Sequence, residues 1–401
     1  MKNSDEQVKF SNFDIKCMSR AISLAKRGTG KCSPNPLVGA VIAKNNTIIG
    51  EGWHRQYGGK HAEAEALDSL LAAGKSPAGA DLYCTLEPCC FNAPDKHQPP
   101  CTGLIIKSAI RRVFFANFDP NPKVNGRGKR MLEKAGVAVQ SGLLSAQGET
   151  LNEGFFAFQR LGRPFVRLKI AQSLDGRIAA LGENPKTSVE NSASRERSWI
   201  TDEAARRMVH CLRSRHDAVL IGRGTALADD PELTVRLARG PNPLRAVLDS
   251  RLSLPDSARL LALPDREKTM IFCCAEADPK RISSLRDKGV QVVPIEGGLA
   301  LPSVLAALAE RGVRSVFVEG GSAVFTAFLK EGLWDKIAVF IAPLLLGQGI
   351  SAVGDLEISA VKNALRLSNV SIKRIGNQVL FEGSRIIPDM KQEESRVYRN
   401  N

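Results

Sequence analysis

The chain contains no apolar run near the ~18 residues that a membrane-spanning helix requires, so no membrane partner is expected. Its first residues, MKNSDEQVKFSNFDIK, have no apolar core of the secretory kind, and the expectation is a cytoplasmic protein. In that reducing compartment, nine cysteines point to metal or chemistry before disulfides. No basic tail or arm is present beyond short clusters such as Arg127, Lys129 and Arg130. The excess of 56 Lys and Arg over 42 Asp and Glu gives +14, split evenly as +7 in residues 1–150 and +7 in 151–401. No basic stretch is interleaved with aromatics. These features argue against a nucleic-acid partner and for solvated surface with a few phosphate-binding side chains. There is no internal repeat, no low-complexity segment and no GxGxxG, so a standard Rossmann domain is not supported.

What is present is an ordinary globular composition, with 43% of 401 residues hydrophobic and 24% charged, long enough for two domains. In the first part, residues 12–27 read as a helix, and 37–43 and 47–52 as a hairpin across Asn45-Asn46. Residues 61–74 follow as an Ala- and Leu-rich helix, 81–86 as a buried strand, and 102–110, 111–117 and 126–136 as helix, strand and helix. This predicts a sheet with helices on its faces over residues 1–147. A helical link follows over 148–162. Residues 163–387 alternate strands (164–176, 217–222, 244–249, 269–274, 291–295, 315–321, 336–342, 377–383) with helices (201–214, 302–311, 322–331), which argues a second α/β domain. Residues 183–198 read as a polar loop and 388–401 as a disordered tail.

Chemistry concentrates in the first part. His61-Ala62-Glu63 precedes a helix, Pro88-Cys89 follows a strand, and Pro100-Cys101 opens another helix. A hydrolytic deaminase needs one imidazole and two thiolates on Zn²⁺, a water, and a carboxylate to shuttle that water's proton. The metal lowers the water's pKa towards neutrality. Residues i and i+2 of a helix point about 200° apart. His61 and Glu63 therefore share a cavity only from the first turn, facing the ligand end-on. HAE by itself is an ordinary helix start; HAE followed by TLEPC and PPC is specific. The second thiol is Cys90 or Cys101. Cys101 is preferred for its place at a helix start, where the dipole favours a thiolate. Cys17, Cys32 and Cys84 read as core thiols, and His97 as an exposed residue or a substrate contact.

SPNPLVGAVI, GWHRQYGGKHAEAEAL, LYCTLEPCC, QPPC and DPNPKVNGRG resemble the deaminase half of the bifunctional riboflavin-biosynthesis deaminase/reductase family. The resemblance runs from about residue 12 to 385. It implies a cytidine-deaminase-like three-layer domain with zinc on His61, Cys89 and Cys101 and a proton shuttle at Glu63. It also implies substrate contacts at Asn35, His54, Asp119 and Asn121. One departure stands out. The family loop PCSHxGRTPPC has eight residues between its cysteines. Here PCCFNAPDKHQPPC has eleven, so Lys96 or His97 as a replacement contact is only suggested.

In the second part, LKIAQSLDGR, SWIT, GTALADDPELTVR, VLDS, VEGGSAV and IAPLLLG resemble, in order, the family's reductase domain. That domain is dihydrofolate-reductase-like and uses NADPH. VEGGSAV reads independently as a strand ending in paired glycines before a helix, where backbone N–H groups can approach a phosphate. The resemblance implies NADPH contacts at Ala171, Trp199, Thr225, Asp229, Ser250, Gly321, Ser322, Ala323 and Val324. It places substrate contacts at Arg213, Leu233, Arg236 and Glu319. Lys169, on the opening strand, is a further candidate for orienting substrate. Two arginines, Arg213 and Arg236, can clamp a phosphate bidentately. Where the family has Ser two residues before the Trp, this chain has Arg197, after an enlarged loop.

The expected function is therefore zinc-dependent hydrolytic deamination of a phosphoribosylamino-pyrimidine, then NADPH-dependent reduction of its ribosyl group to ribityl phosphate. The resemblance also implies a homo-oligomer. The rival readings are a family member with one degenerate domain, and a nucleic-acid deaminase sharing the HAE/PC site.

Overall fold

The computed structural model describes residues 10–92, 99–181 and 199–386, and the chain divides into two units between Arg163 and Pro164. The first unit runs α1 (Asn12–Ala25), β1 (Gly39–Lys44), β2 (Thr47–Trp53), α2 (Ala62–Ala72), β3 (Asp81–Leu86), α3 (Cys101–Lys107), β4 (Arg112–Asn117), α4 (Arg127–Lys134), β5 (Ala138–Ser141), α5 (Ser145–Leu151) and α6 (Glu153–Leu161). Asn45 and Asn46 both take left-handed φ values, as a two-residue hairpin turn between β1 and β2 demands. The five strands form one sheet in the order β2-β1-β3-β4-β5, with β3, β4 and β5 parallel. Side chains alternate across it. Ala40, Ile42, Leu82, Cys84, Val113 and Phe115 pack with α2, α3 and α4. Val41, Ala43, Tyr83, Phe114 and Ala116 pack against α1 on the other face. A strand whose two faces are both covered carries apolar residues continuously, which gives the three-layer sandwich.

Residues 148–162, expected as a link between halves, lie within the first unit. Asn152 breaks the helical stretch into α5 and α6, and its side chain exchanges two hydrogen bonds with the Leu37 main chain, at 2.8 and 2.9 Å.

The second unit runs β6 (Phe165–Ser173), β7 (Arg177–Ala180), α7 (Glu203–Arg213), β8 (Ala218–Gly222), α8 (Arg223–Asp229), β9 (Leu244–Leu248), α9 (Arg259–Ala262), β10 (Thr269–Cys274), α10 (Pro279–Asp287), β11 (Gln291–Ile295), α11 (Leu301–Glu310), β12 (Ser315–Val318), α12 (Ser322–Lys330), β13 (Lys336–Ala342), β14 (Gly349–Ser351), β15 (Leu367–Ile375) and β16 (Gln378–Arg385). Nine strands form a sheet in the order β11-β10-β9-β8-β12-β6-β13-β16-β15, and β14 pairs with β7 in a separate ribbon. Pairing is parallel from β11 to β13 and antiparallel through β16 and β15. The chain steps from β6 past β12 to β8, so β12 enters late between them. The carboxyl ends of β8, β12 and β6 therefore lie at a topological switch point, the place where open α/β sheets bind ligands. Strands β7, β14 and β15 and helices α8, α9 and α10 are additions to the elements expected from the sequence. The expectations for Lys96, His97, Arg197, the loop 183–198 and the tail 388–401 fall outside the described residues. Of the first loop, Phe91, Asn92, Pro99 and Pro100 at its ends are described.

Candidate functional site

In the first unit, two helix starts and one strand end converge. His61 is the N-cap of α2, in extended conformation and with no capping side-chain bond, and its ring faces Cys89 and Cys101. Glu63 sits in that helix's first turn, 3% exposed. Cys101 is the first residue of α3, and Cys89 follows β3 through Glu87-Pro88. The Cys89 and Cys101 sulfurs lie 3.5 and 3.3 Å from His61 Nδ1, and the three ligand atoms all lie within 4.8 Å of one another. Tetrahedral zinc, with bonds near 2.3 Å to sulfur and 2.0–2.1 Å to nitrogen, sets sulfur and nitrogen about 3.6 Å apart. The triad fits that ion. Cys90 stands outside it, with its sulfur on the Lys123 carbonyl at 3.7 Å.

The electrostatics agree with the donor set. The hydrogen bond from the Cys101 side chain, followed by His61, pushes the Cys89 thiol down to about 3 against burial. The same contact and burial push the Cys101 thiol up. A divalent cation binds thiols as thiolates and displaces their protons. Burial raises Glu63 above the usual carboxyl range, and its carboxylate is hydrogen-bonded to the Cys101 side chain, beside the triad.

Of the expected substrate contacts, Asn35 and His54 are brought to this place. His54 donates through Nδ1 to the Lys60 carbonyl at 2.9 Å, which leaves Nε2 as acceptor for the Asn35 amide at 3.3 Å. Its ring meets that of His61 edge-on, with centroids 5.7 Å apart. Asp119 and Asn121 follow β4. The Asn121 N–H donates to Asp119 Oδ1 at 2.9 Å.

A residue with no role in the sequence reading organises that loop. Glu87, inside TLEPC, accepts backbone N–H bonds from Gly126 and Lys129 at 2.9 and 3.0 Å, and a longer one from Asp119 at 3.4 Å. A carboxylate at the start of α4 is also favoured by the helix dipole. Gly128 closes the arrangement, because a Cβ there would stand 2.3 Å from the Pro88 carbonyl. Only the position of Glu87 two residues before a metal-type Cys could have signalled this role.

In the second unit, β6 and β12 are parallel neighbours, with Val318 opposite Leu168, so the next residues, Lys169 and Glu319, stand side by side. Arg213, at the end of α7, donates to both Glu319 oxygens at 2.7 and 3.0 Å, and to the Thr234 carbonyl at 2.5 Å. Lys169 Nζ is 4.0 Å from Glu319. Arg213 and Glu319 are under 10% exposed and Lys169 is 17%. Burial, with Arg213 adding, pulls Lys169 below the usual lysine range while Glu319 opposes. Three of Arg213's five N–H donors are thus already engaged. Arg236 is exposed, and with Arg207, Leu237, Ala238 and Arg239 it lines a cleft of about 420 Å³. Leu233 is 2% exposed, with its side chain in the core, so only its main chain can meet a ligand.

The expected NADPH residues Thr225, Ser250 and Gly321–Val324 follow the carboxyl ends of β8, β9 and β12, and Ala171 lies two residues beyond Lys169 on β6. α12 begins at Ser322 with no side-chain cap, and a Cβ on Gly321 would stand 3.2 Å from Thr225 Oγ1. A bare helix start beside a hydroxyl fits a cofactor phosphate. Asp229, at the end of α8, is exposed and contributes to the field at Lys169. Trp199 is exposed, shortly before α7. Its ring is covered by the Arg206 guanidinium at 5.1 Å, and it lines a cleft of about 470 Å³ with Thr201, Asp202, Pro343 and Gln378. None of the other expected cofactor residues lines that cleft.

Family models match both units. Residues 11–117 match the cytidine and deoxycytidylate deaminase zinc-binding region, and residues 164–381 match the RibD C-terminal domain. The chain is 41% identical to the riboflavin biosynthesis protein RibD of Bacillus amyloliquefaciens, over 96% of this chain and 98% of that one. It is 39% identical to RibD of Aquifex aeolicus, over 92% and 97%. The solved structure of Acinetobacter baumannii RibD superposes with a TM-score of 0.78 at 34% identity, covering 94% of this chain and 99% of that one. The diaminohydroxyphosphoribosylaminopyrimidine deaminase/5-amino-6-(5-phosphoribosylamino)uracil reductase of Thermotoga maritima does so at 0.77 and 35%, covering 93% and 99%. With a zinc-type triad in one unit, a reductase domain in the other and this similarity across nearly its whole length, the chain belongs to the RibD family of riboflavin-biosynthesis deaminase/reductases.

Proposed function

We propose that the first unit hydrolyses the exocyclic amine of a phosphoribosylamino-pyrimidine and that the second reduces the ribosyl group of the product to ribityl phosphate. The observation that carries the reading is Glu63, buried against a His61–Cys89–Cys101 triad whose spacing suits zinc. These three residues would hold the ion, which when bound brings the pKa of a water near neutrality. Glu63 takes a proton from the attacking water and delivers it to the departing amine nitrogen. A carboxyl whose pKa is raised by burial is suited to accept and release a proton near neutral pH. His54, kept neutral mainly by burial, and Asn35 bind the pyrimidine from one side, with Asp119 and Asn121 on the loop held by Glu87.

In the second unit, Lys169 and Glu319 orient the ribosyl chain, and Arg213 holds Glu319 in place. Arg236 faces the substrate phosphate in a cleft that also carries Arg207 and Arg239. Ala171, Trp199, Thr225, Asp229, Ser250 and Gly321–Val324 contact NADPH, which supplies the hydride. The test is to offer the purified protein the aminopyrimidine phosphate and NADPH and to follow ammonia and NADPH absorbance separately. One ammonia and one NADPH per substrate is expected. Ammonia without NADPH oxidation would sink the two-step reading.

A homo-oligomer is the second part of the proposal. The edge strand β15 exposes Val370 and Ile372 at 50% and 68%, apolar area that a second copy would cover. Light scattering tests it, with a monomer mass as the contrary result. A cytoplasmic location is supported by nine cysteines, none of them in a disulfide among the described residues.

A further inference from the structure

Residues 230–243, between α8 and β9, have no regular hydrogen-bond ladder. Leu233 takes φ +54° there, a left-handed value uncommon for a branched side chain. Something other than secondary structure must fix the main chain at Arg236. Three consecutive residues are each tied by one side chain. The Thr234 carbonyl accepts from Arg213 at 2.5 Å, the Val235 N–H donates to Asn242 Oδ1 at 2.8 Å, and the Arg236 N–H donates to His210 Nδ1 at 2.9 Å. His210 and Arg213 are three residues apart on α7 and so share one face of the helix.

We propose that His210 is a positioning residue for substrate phosphate, holding the Arg236 main chain so that its guanidinium faces the cleft. The inference rests on the reading of Arg236 as a phosphate contact. His210 is 6% exposed and makes this bond as an acceptor. Only a neutral ring with its proton on Nε2 can do so, because an imidazolium would present N–H to N–H. Burial, with Arg213 and Arg236 adding, pushes its pKa down to about 4, so the acceptor is in place at neutral pH. The Arg236 guanidinium itself is steadied by Glu232 Oε2 and Thr234 Oγ1, each at 3.0 Å, and remains half exposed. Its direction is set by these two contacts together with the main chain from which the side chain starts.

The geometry sets the test. The Asn Oδ1 can stand where Nδ1 stands, whereas the Gln Oε1 reaches the place of Nε2. His210→Asn, His210→Gln, His210→Leu and Arg236→Ala are compared on the ribosylamino-pyrimidine substrate with and without its 5-phosphate, reading NADPH oxidation. Leaving the Arg236 N–H without an acceptor should raise KM for the phosphorylated substrate about tenfold in His210→Gln and His210→Leu. The NADPH KM and turnover of the dephosphorylated substrate should stay near wild type, and His210→Asn should restore the phosphate preference. If His210→Leu does not fold, the Asn and Gln pair still decides. Loss of phosphate preference in Arg236→Ala but in neither His210→Gln nor His210→Leu overturns the role of His210. An equal rise in KM for both substrates, or no rescue by Asn, does the same by reducing His210 to a packing residue. Preference intact in Arg236→Ala overturns the phosphate reading itself.

Discussion

Glu319→Gln isolates the buried charge cluster of the second unit, because the side chain keeps its size and loses only its charge and one acceptor. Glu319 accepts two bonds from Arg213 at 2.7 and 3.0 Å and is the nearest anion to Lys169 at 4.0 Å, all three groups being mostly shielded from water. An amide keeps one bond to Arg213 but turns an NH2 against the second donor. It also leaves two buried cations without a counter-charge. Breaking a buried ion pair by removing one partner costs about 3–5 kcal/mol. The lower end applies here, since the Thr234 carbonyl still holds Arg213. In a unit of this size about 3 kcal/mol lowers Tm by roughly 6–12 °C. Scanning calorimetry reads it, with the first unit's transition as an unchanged internal reference. A fall below about 2 °C would refute the assignment of Glu319 as the ion that compensates Arg213 and Lys169. Arg213→Met/Glu319→Gln should lose less than the sum of its single variants, since the two contact each other.

Cys101→Ser should strip zinc from the first unit and abolish ammonia release while leaving NADPH oxidation with deaminated substrate unchanged; zinc content by atomic absorption checks it. Gly128→Ala should cut ammonia release, because its Cβ meets the Pro88 carbonyl at 2.3 Å and must displace the loop that carries Cys89; steady-state ammonia assays at matched zinc content check it. The second unit should weaken in mild acid. His216, stacked on Phe165 and Phe317, is pushed down to about 3, mainly by burial, and His210 to about 4. The native state resists protonation where unfolded histidine accepts a proton near 6.5, so stability is full above about pH 6.5. It falls by up to about 1.4 kcal/mol per pH unit per histidine below it. Urea midpoints from about pH 7.5 to 5 check it, and His216→Phe should flatten the slope.

The parts of the fold legible in the sequence are those whose physics is local. β3 and β10 fall where their largely apolar runs fall, because both faces are covered. β15 is not legible, since an edge strand with most side chains exposed carries no such run. α10 does carry a start signal, with Asp278 capping it and Pro279 opening it, but its mostly polar body hides the helical period. The zinc-type residues are legible because two sit at helix starts and their spacing is chemical. The cluster of Glu319 with Arg213, 106 residues apart, and with Lys169 is not, because it is made by the end of α7 meeting β12 and by the register of β12 on β6. Glu87 and His210 are invisible for the same reason. Each acts on main-chain N–H groups of a loop brought to it by the fold, and nothing in their own surroundings in the sequence names that partner.

The most direct measurement is Glu63→Gln, assayed for zinc, ammonia and NADPH oxidation on both the aminopyrimidine phosphate and its deaminated product. The predicted result is zinc bound as in the wild type and no ammonia. No NADPH oxidation should follow from the aminopyrimidine, and the wild-type rate should return with the deaminated compound. Ammonia release that persists would contradict Glu63 as the proton carrier, and failure to oxidise NADPH with the deaminated compound would contradict deamination followed by reduction in two separate units.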